Sequence, residues 1–235
     1  MKTRLTALAL GAALLLAACG GGGDSGNSGF TPPTDDFAVL AGWQNLMGVG
    51  GSWTVTGTTA DNASWEATLQ LAPQASAAFP PTGVPYAGTR VTSTVKRNGT
   101  ASGSGIVEYF READTRIAAI RNTGTTQVCA SATSNALPPA AAKVNASGAL
   151  ASLVTLNSCL AGAGATANVS TMTWSVEFER GIVLLCLNSE TRDGTNTVIG
   201  RENDCFELKT DGSLGTRARV TVFLPNTLNL VMKNF

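Results

Sequence analysis

Two stretches decide how this chain folds: Trp65-Glu66-Ala67-Thr68-Leu69-Gln70-Leu71 and Met172-Thr173-Trp174-Ser175-Val176-Glu177-Phe178-Glu179. In each, large apolar side chains alternate strictly with Glu, Thr, Ser or Gln. Successive strand residues point to opposite faces, so this period of two describes a strand with one face in a core and one in water. Five more runs support strands: Ser52–Thr58, Arg90–Arg97, Ile182–Asn188, Cys205–Lys209 and Arg217–Leu224. Asn98-Gly99 and Asp211-Gly212 sit between such runs, where both turn residues can take positive φ and close a hairpin. Asp193-Gly194 is a weaker turn of the same kind. The fold class is therefore all-β, an antiparallel sandwich or barrel.

Helical periodicity is confined to one place. Phe37, Leu40, Trp43 or Gln44, and Met47 fall near one face, Thr34 is placed to cap, Asp35 and Asp36 suit a first turn, and Gly48 ends the pattern. Ala136 to Gly148, with Pro138 and Pro139, reads as a long connection whose Ala-rich part has the composition for a helical turn. Val95-Lys96-Arg97-Asn98-Gly99-Thr100-Ala101 compares with Leu208-Lys209-Thr210-Asp211-Gly212-Ser213-Leu214, so residues 52–130 and 150–235 are candidate half-repeats within one β-rich domain, residues 35–235.

The front of the chain is organised differently. Lys2 and Arg4 precede an uncharged apolar run, Leu5 to Leu16, which is too short to span a bilayer comfortably and suits a cleavable signal peptide, residues 1–18. Leu16-Ala17-Ala18-Cys19 resembles the lipobox of bacterial lipoproteins. That resemblance implies cleavage before Cys19, a thioether-linked diacylglycerol on its sulfur and a third acyl chain (such as palmitate) on its amine. It also implies the outer membrane rather than the inner, because Gly20 and not Asp follows the lipidated cysteine. Residues 19–34 then form the lipidated Cys and a Gly/Ser/Pro tether, with an r.m.s. reach on the order of 20 Å. The lipid on Cys19 makes the membrane the first expected partner.

With Cys19 assigned to lipid, four cysteines remain in an exported chain: Cys129, Cys159, Cys186 and Cys205. An even number favours two disulfides. Of the three connectivities, Cys129–Cys159 and Cys186–Cys205 join sequence-neighbouring strands and are preferred. The cysteines lack CxxC spacing and the chain has no histidine, so no metal site is expected of them.

The absence of histidine also removes Ser-His-Asp and Cys-His catalysis. No Gly-rich nucleotide loop appears, and Ser102-Gly103-Ser104-Gly105 reads as strand backbone needing close packing. Glu177 and Glu179 share a strand face about 7 Å apart, a spacing open to glycosidase chemistry, but on the polar face opposite Trp174 and Phe178. Glu202, Asp204 and Asp193 lie near one another in a turn-rich region, without the alternating-oxygen loop that calcium binding uses. The expectation is no catalytic residue, no cofactor and no metal. Removal of Lys2 and Arg4 leaves a net charge of −2 without clusters of like sign, which gives nucleic acid no electrostatic footing. Trp53, Trp65 and Trp174 fall in strand patterns and are expected in the core.

The Gly51-Ser52-Trp53 start resembles the Gly-x-Trp of lipocalins, and that resemblance implies a barrel carrying a small apolar ligand. Two functions follow from the sequence: a lipid-anchored, non-catalytic envelope protein that binds an envelope partner or serves structurally, or such a carrier. A hollow of several hundred Å3 would favour the carrier, and two buried carboxylates facing one cleft would reopen catalysis.

Overall fold

The computed structural model describes residues 29–123, 127–225 and 228–235. The signal peptide, the lipobox, Cys19, Gly20 and most of the tether lie outside the described residues. A helix, α1 (Val39–Gly48), precedes twelve strands: β1 (Gly51–Thr58), β2 (Ser64–Ala78), β3 (Pro85–Arg97), β4 (Thr100–Arg111), β5 (Ile117–Thr123), β6 (Gln127–Asn135), β7 (Ser147–Leu156), β8 (Ala165–Glu179), β9 (Ile182–Arg192), β10 (Val198–Leu208), β11 (Leu214–Leu224) and β12 (Leu228–Lys233). Each strand pairs antiparallel with its sequence neighbours, and β1 returns to β12, so the sheet closes into an up-and-down barrel. Closure leaves the described strands without a free sheet edge. The half-repeat candidates both contribute strands to this one barrel. Asn98-Gly99 joins β3 to β4 at one end, and Asp211-Gly212 joins β10 to β11 at the other.

The strand alternation sorts side chains as the sequence requires. Trp53, Val55, Ala67, Leu69, Leu71, Val95, Trp174, Val176, Leu185 and Val220 are buried in the interior cluster. Outward positions carry Ser, Thr and ion pairs such as Lys96–Glu66 and Arg90–Glu108. This polarity is the reverse of a membrane-spanning barrel, which turns an apolar band outward. Among the described residues no helix is long and apolar enough to cross a membrane.

α1 plugs one barrel end. The Trp43 indole N–H donates to Thr115 O in the β4–β5 turn, Asn45 Nδ2 donates to Gly212 O in the β10–β11 turn, and Thr89 Oγ1 donates to Met47 O. Val39, Trp43, Leu46 and Met47 are fully buried beneath these turns. The helix begins later than the sequence pattern places it. Thr34, Asp35 and Asp36 precede it, Ala38 holds the N-cap position without a side-chain hydrogen bond, and the first turn has no acidic residue. The reason is a competing interaction: Phe37 forms a β-bridge with Ala142, holding the chain extended up to Ala38. The same bridge keeps the 136–146 connection extended, and no helical turn forms in its Ala-rich part.

The hairpin signals resolve into two chemistries. At Asn98-Gly99 both residues have positive φ, 50° and 76°. At the Asp-Gly turns only Gly212 does, while Asp211 and Asp193 accept backbone N–H bonds from Ser213 and from Thr195 and Thr197. These are Asx turns, in which the side chain supplies the turn's acceptor. Trp65 is half-buried rather than buried. It stands at the barrel mouth far from α1, donates to Thr59 Oγ1, and has the Arg97 guanidinium 5.5 Å from its ring.

Candidate functional site

The sequence pattern marks β10 only over Cys205–Lys209, and the strand's full extent turns two acids inward. Phe206 faces the core, so alternation sends Asp204 and Glu202 the same way. Ser189 is the cross-strand partner of Glu202, and Leu187 that of Asp204. Tyr109 on β4 points in from across the lumen. Together with Ser93 they line a hollow of about 40 Å3, sealed on the plug side by Met47. That volume holds roughly three waters. The remaining lining is aliphatic, aromatic, Met or Ser, and no basic side chain is among the residues that line it.

Both acids are half-buried, and both line this hollow. Among the described residues Asp204 Oδ1 is buried without a hydrogen-bond partner. Desolvation pushes the Glu202 carboxyl up to about 7. Desolvation and then the neighbouring Glu202 charge raise Asp204 well above the usual carboxylate range. Burial, with the two acids adding to it, also raises the Tyr109 phenol. All three shifts favour the uncharged form, as expected for acids in a low-dielectric wall without a cation.

Asp193, which the sequence groups with these two acids, is not part of the site. It sits exposed in the β9–β10 turn, with its carboxylate engaged by Thr195 and Thr197. Glu177 and Glu179 lie on the outer wall as their register predicts. Arg219 Nη2 reaches Glu177 Oε2 at 2.5 Å, Arg219 Nη1 reaches Glu179 Oε2 at 2.8 Å, and Lys233 reaches Glu179 at 2.6 Å. Burial works against ionisation of Glu179, but the hydrogen bonds from Lys233 and Arg219 outweigh it and hold its carboxyl below the ordinary value. Both carboxylates are held by cations on the outer wall and do not face one another across a substrate cleft, as glycoside hydrolysis requires.

Both disulfides of the preferred connectivity are formed. Cys186 and Cys205 are direct cross-strand partners on the outer face of β9 and β10, with Cα atoms 3.9 Å apart. Glu177 lies close to these sulfurs, but the disulfide consumes both thiols and Arg219 engages the carboxylate, so the trio cannot ligate a metal. Cys129–Cys159 ties β6 to the β7–β8 loop over a small outer cluster with Phe79, Phe110 and Ala119. The β2–β3 hairpin tip folds onto this cluster: Phe79 meets Phe110 edge-on at 5.1 Å, and Gly162 N–H donates to Pro81 O.

Between that hairpin and the outer wall lies a groove of about 250 Å3, lined by Gln74, Tyr86, Arg90, Glu108, Phe110 and Arg121. Glu108 accepts from Arg90 at 2.8 Å and from Arg121 Nε at 2.5 Å. Burial opposes its ionisation, yet these bonds keep its carboxyl below the usual range and leave a fixed, net positive floor. A second hollow inside the barrel, about 20 Å3, is apolar and lies beside Val95, Val222 and Leu230.

The fold and site define a class: a helix-plugged, twelve-stranded antiparallel barrel with an apolar interior and a buried acidic hollow. No protein-family model matches the chain, and no curated protein or solved structure matches it either. The inward acids are hard to find in the sequence because Arg201-Glu202-Asn203-Asp204 offers no apolar partner to mark its inner face. The signal lies just downstream in the same strand, since extending the alternation back from Phe206 places both inside.

Proposed function

We propose that this chain is a lipid-anchored, non-catalytic cell-envelope protein that works through the outer surface of a rigid barrel rather than by carrying cargo inside it. One observation carries this reading: the distribution of space. Among the described residues the outer groove measures about 250 Å3, against about 40 Å3 and 20 Å3 for two hollows inside the barrel. Sites for small organic ligands run to roughly 300–1,000 Å3. Trp53, Trp174, Phe206 and the helix plug occupy the volume a lipocalin-like carrier would need. The same tightness argues against catalysis at Glu202 and Asp204, because no organic substrate fits between them.

The anchor belongs to the same proposal. Lys2, Arg4, the Leu5–Leu16 run and the Leu16–Cys19 lipobox support lipidation at Cys19, and Gly20 supports the outer membrane as the destination. More than one acyl chain is needed for stable attachment, which a lipidated, acylated cysteine supplies.

Two measurements on the full chain test this. Cys19→Ser should abolish incorporation of labelled palmitate and release the protein from membranes; retention of the unlabelled variant there would overturn the anchor. Mass spectrometry of solvent extracts from purified, delipidated protein should find no bound hydrophobe. A stoichiometric apolar compound in that extract would replace the surface-acting role with the carrier.

A further inference from the structure

We propose that the hollow between β4, β9 and β10 binds one hard divalent cation, calcium by size, held by the carboxylates of Glu202 and Asp204 with the hydroxyls of Ser189 and Tyr109 completing an oxygen shell. The donors are uniform in kind. Carboxylate and hydroxyl oxygens suit Ca2+ and its neighbours rather than zinc, whose preferred cysteine and histidine ligands are absent from the lining. Two carboxylates, each able to give two oxygens, plus two hydroxyls match the six to eight ligands that calcium takes. Room for roughly three waters accommodates one ion and what remains of its hydration, and excludes an organic ammonium of any size.

A second, independent observation points to an occupant. Burial of a polar atom without a partner is costly, and native interiors rarely tolerate it. Asp204 Oδ1 is such an atom, on a residue that lines the hollow beside Glu202. Elsewhere this barrel pairs its partly buried acids with care: Glu108 has Arg90 and Arg121, Glu179 has Arg219 and Lys233, and Glu207 has Lys209. The luminal pair, by contrast, faces no basic residue in its lining. A divalent ion neutralises two adjacent carboxylates inside a low-dielectric wall, whereas a protein cation would have to be buried as well. Met47 of the helix plug closes over the site, so the ion would tie the wall at β10 to the plugged end.

The test uses the full mature lipoprotein in detergent, dialysed against EDTA. Calorimetric titration with CaCl2 should show one ion per chain, and saturating calcium should raise the melting temperature by about 5 °C. The charge-free, near-isosteric E202Q/D204N variant should neither take up calcium nor respond in melting temperature, while Glu66→Gln on the outer wall should bind as the wild type does. Ser189→Ala gives a second reading if the double variant fails to fold, with affinity weakened on the order of tenfold. Absence of stoichiometric uptake of Ca2+, Mg2+ or Mn2+ at millimolar concentration would overturn the proposal, as would unchanged calcium affinity in the folded double variant or in S189A. The outcome does not depend on lipidation, cargo or partners, so it separates cleanly from the failure of the surface-acting role.

Discussion

Glu202 makes the barrel pH-sensitive in a direction opposite to that of most carboxylates. Its folded pKa is raised from 4.5 to about 7 by burial, and the other titratable groups facing it are Asp204 and Tyr109, both also raised. Below about pH 4.5 the group is protonated in folded and unfolded chains alike and contributes nothing to the pH slope. Between pH 4.5 and 7 the unfolded chain releases this proton while the folded one keeps it. The folded state then holds more protons, and stability falls as pH rises. Above 7 the loss is complete. Glu202→Gln should therefore stabilise the metal-free protein at pH 8 by about 3 kcal/mol, with the gain vanishing by pH 4. Urea melts in EDTA at both pH values measure this. An equal effect of the substitution at pH 4 and pH 8 would mean that the carboxyl is not titrating inside the lumen.

Trp174 and its neighbour Glu177 show what the strand β8 is made of. Trp174 is 4% exposed, and its indole lies against Gly148, where an added Cβ would stand 2.8 Å from Nε1. Trp174→Ala should cost about 3–5 kcal/mol, measured by thermal or chemical unfolding. Glu177→Ala on the opposite face should cost only about 1 kcal/mol, since Arg219 keeps Glu179. A reversal of that order would mean that β8 is turned the other way. The period of two in β2 and β8, the Asn98-Gly99 hairpin and the cysteine pairing are all legible in the sequence, because each is a local pattern with one physical meaning. The strands β5, β6, β7 and β12 are not. Ile117-Ala118-Ala119-Ile120 and Gln127–Asn135 lack clean alternation, since their outer faces are covered too: Ala119 and Cys129 pack beneath Phe79. The helix start is obscured for a related reason. Thr34-Asp35-Asp36 is a good cap by local chemistry, but the non-local Phe37–Ala142 bridge claims the backbone first. The acidic hollow depends on β4 and β10 facing each other across a lumen, and no local pattern carries that.

The barrel as a whole has one weak seam, where its ends meet. Along most of the wall, neighbouring strands align over five or more residue pairs, whereas β1 and β12 share a single aligned pair, Thr56 and Lys233. Closure there depends on close backbone approach at Gly57. A Cβ on that residue would lie 2.2 Å from Val231 O and 3.0 Å from Met232 Cγ. The first of these atoms is backbone and cannot rotate aside, so Gly57→Ala must push β12 off β1. The side chains of Leu230 and Met232, both buried in the interior cluster, would move with it. Gly57→Ala should destabilise the protein by about 2–4 kcal/mol, within the range of overpacking substitutions that displace buried neighbours. Its effect should also be local before it is global. The seam has the fewest aligned pairings, so the least costly opening of the native barrel runs through it. Hydrogen exchange of the variant should show lost protection in β12 and the facing part of β1, while β8 and β9, paired along their length and bound on both sides, keep theirs. Uniform loss across all strands would mean that the barrel opens only as one unit. Unchanged exchange with unchanged stability would mean that β1 and β12 are not in contact at Gly57.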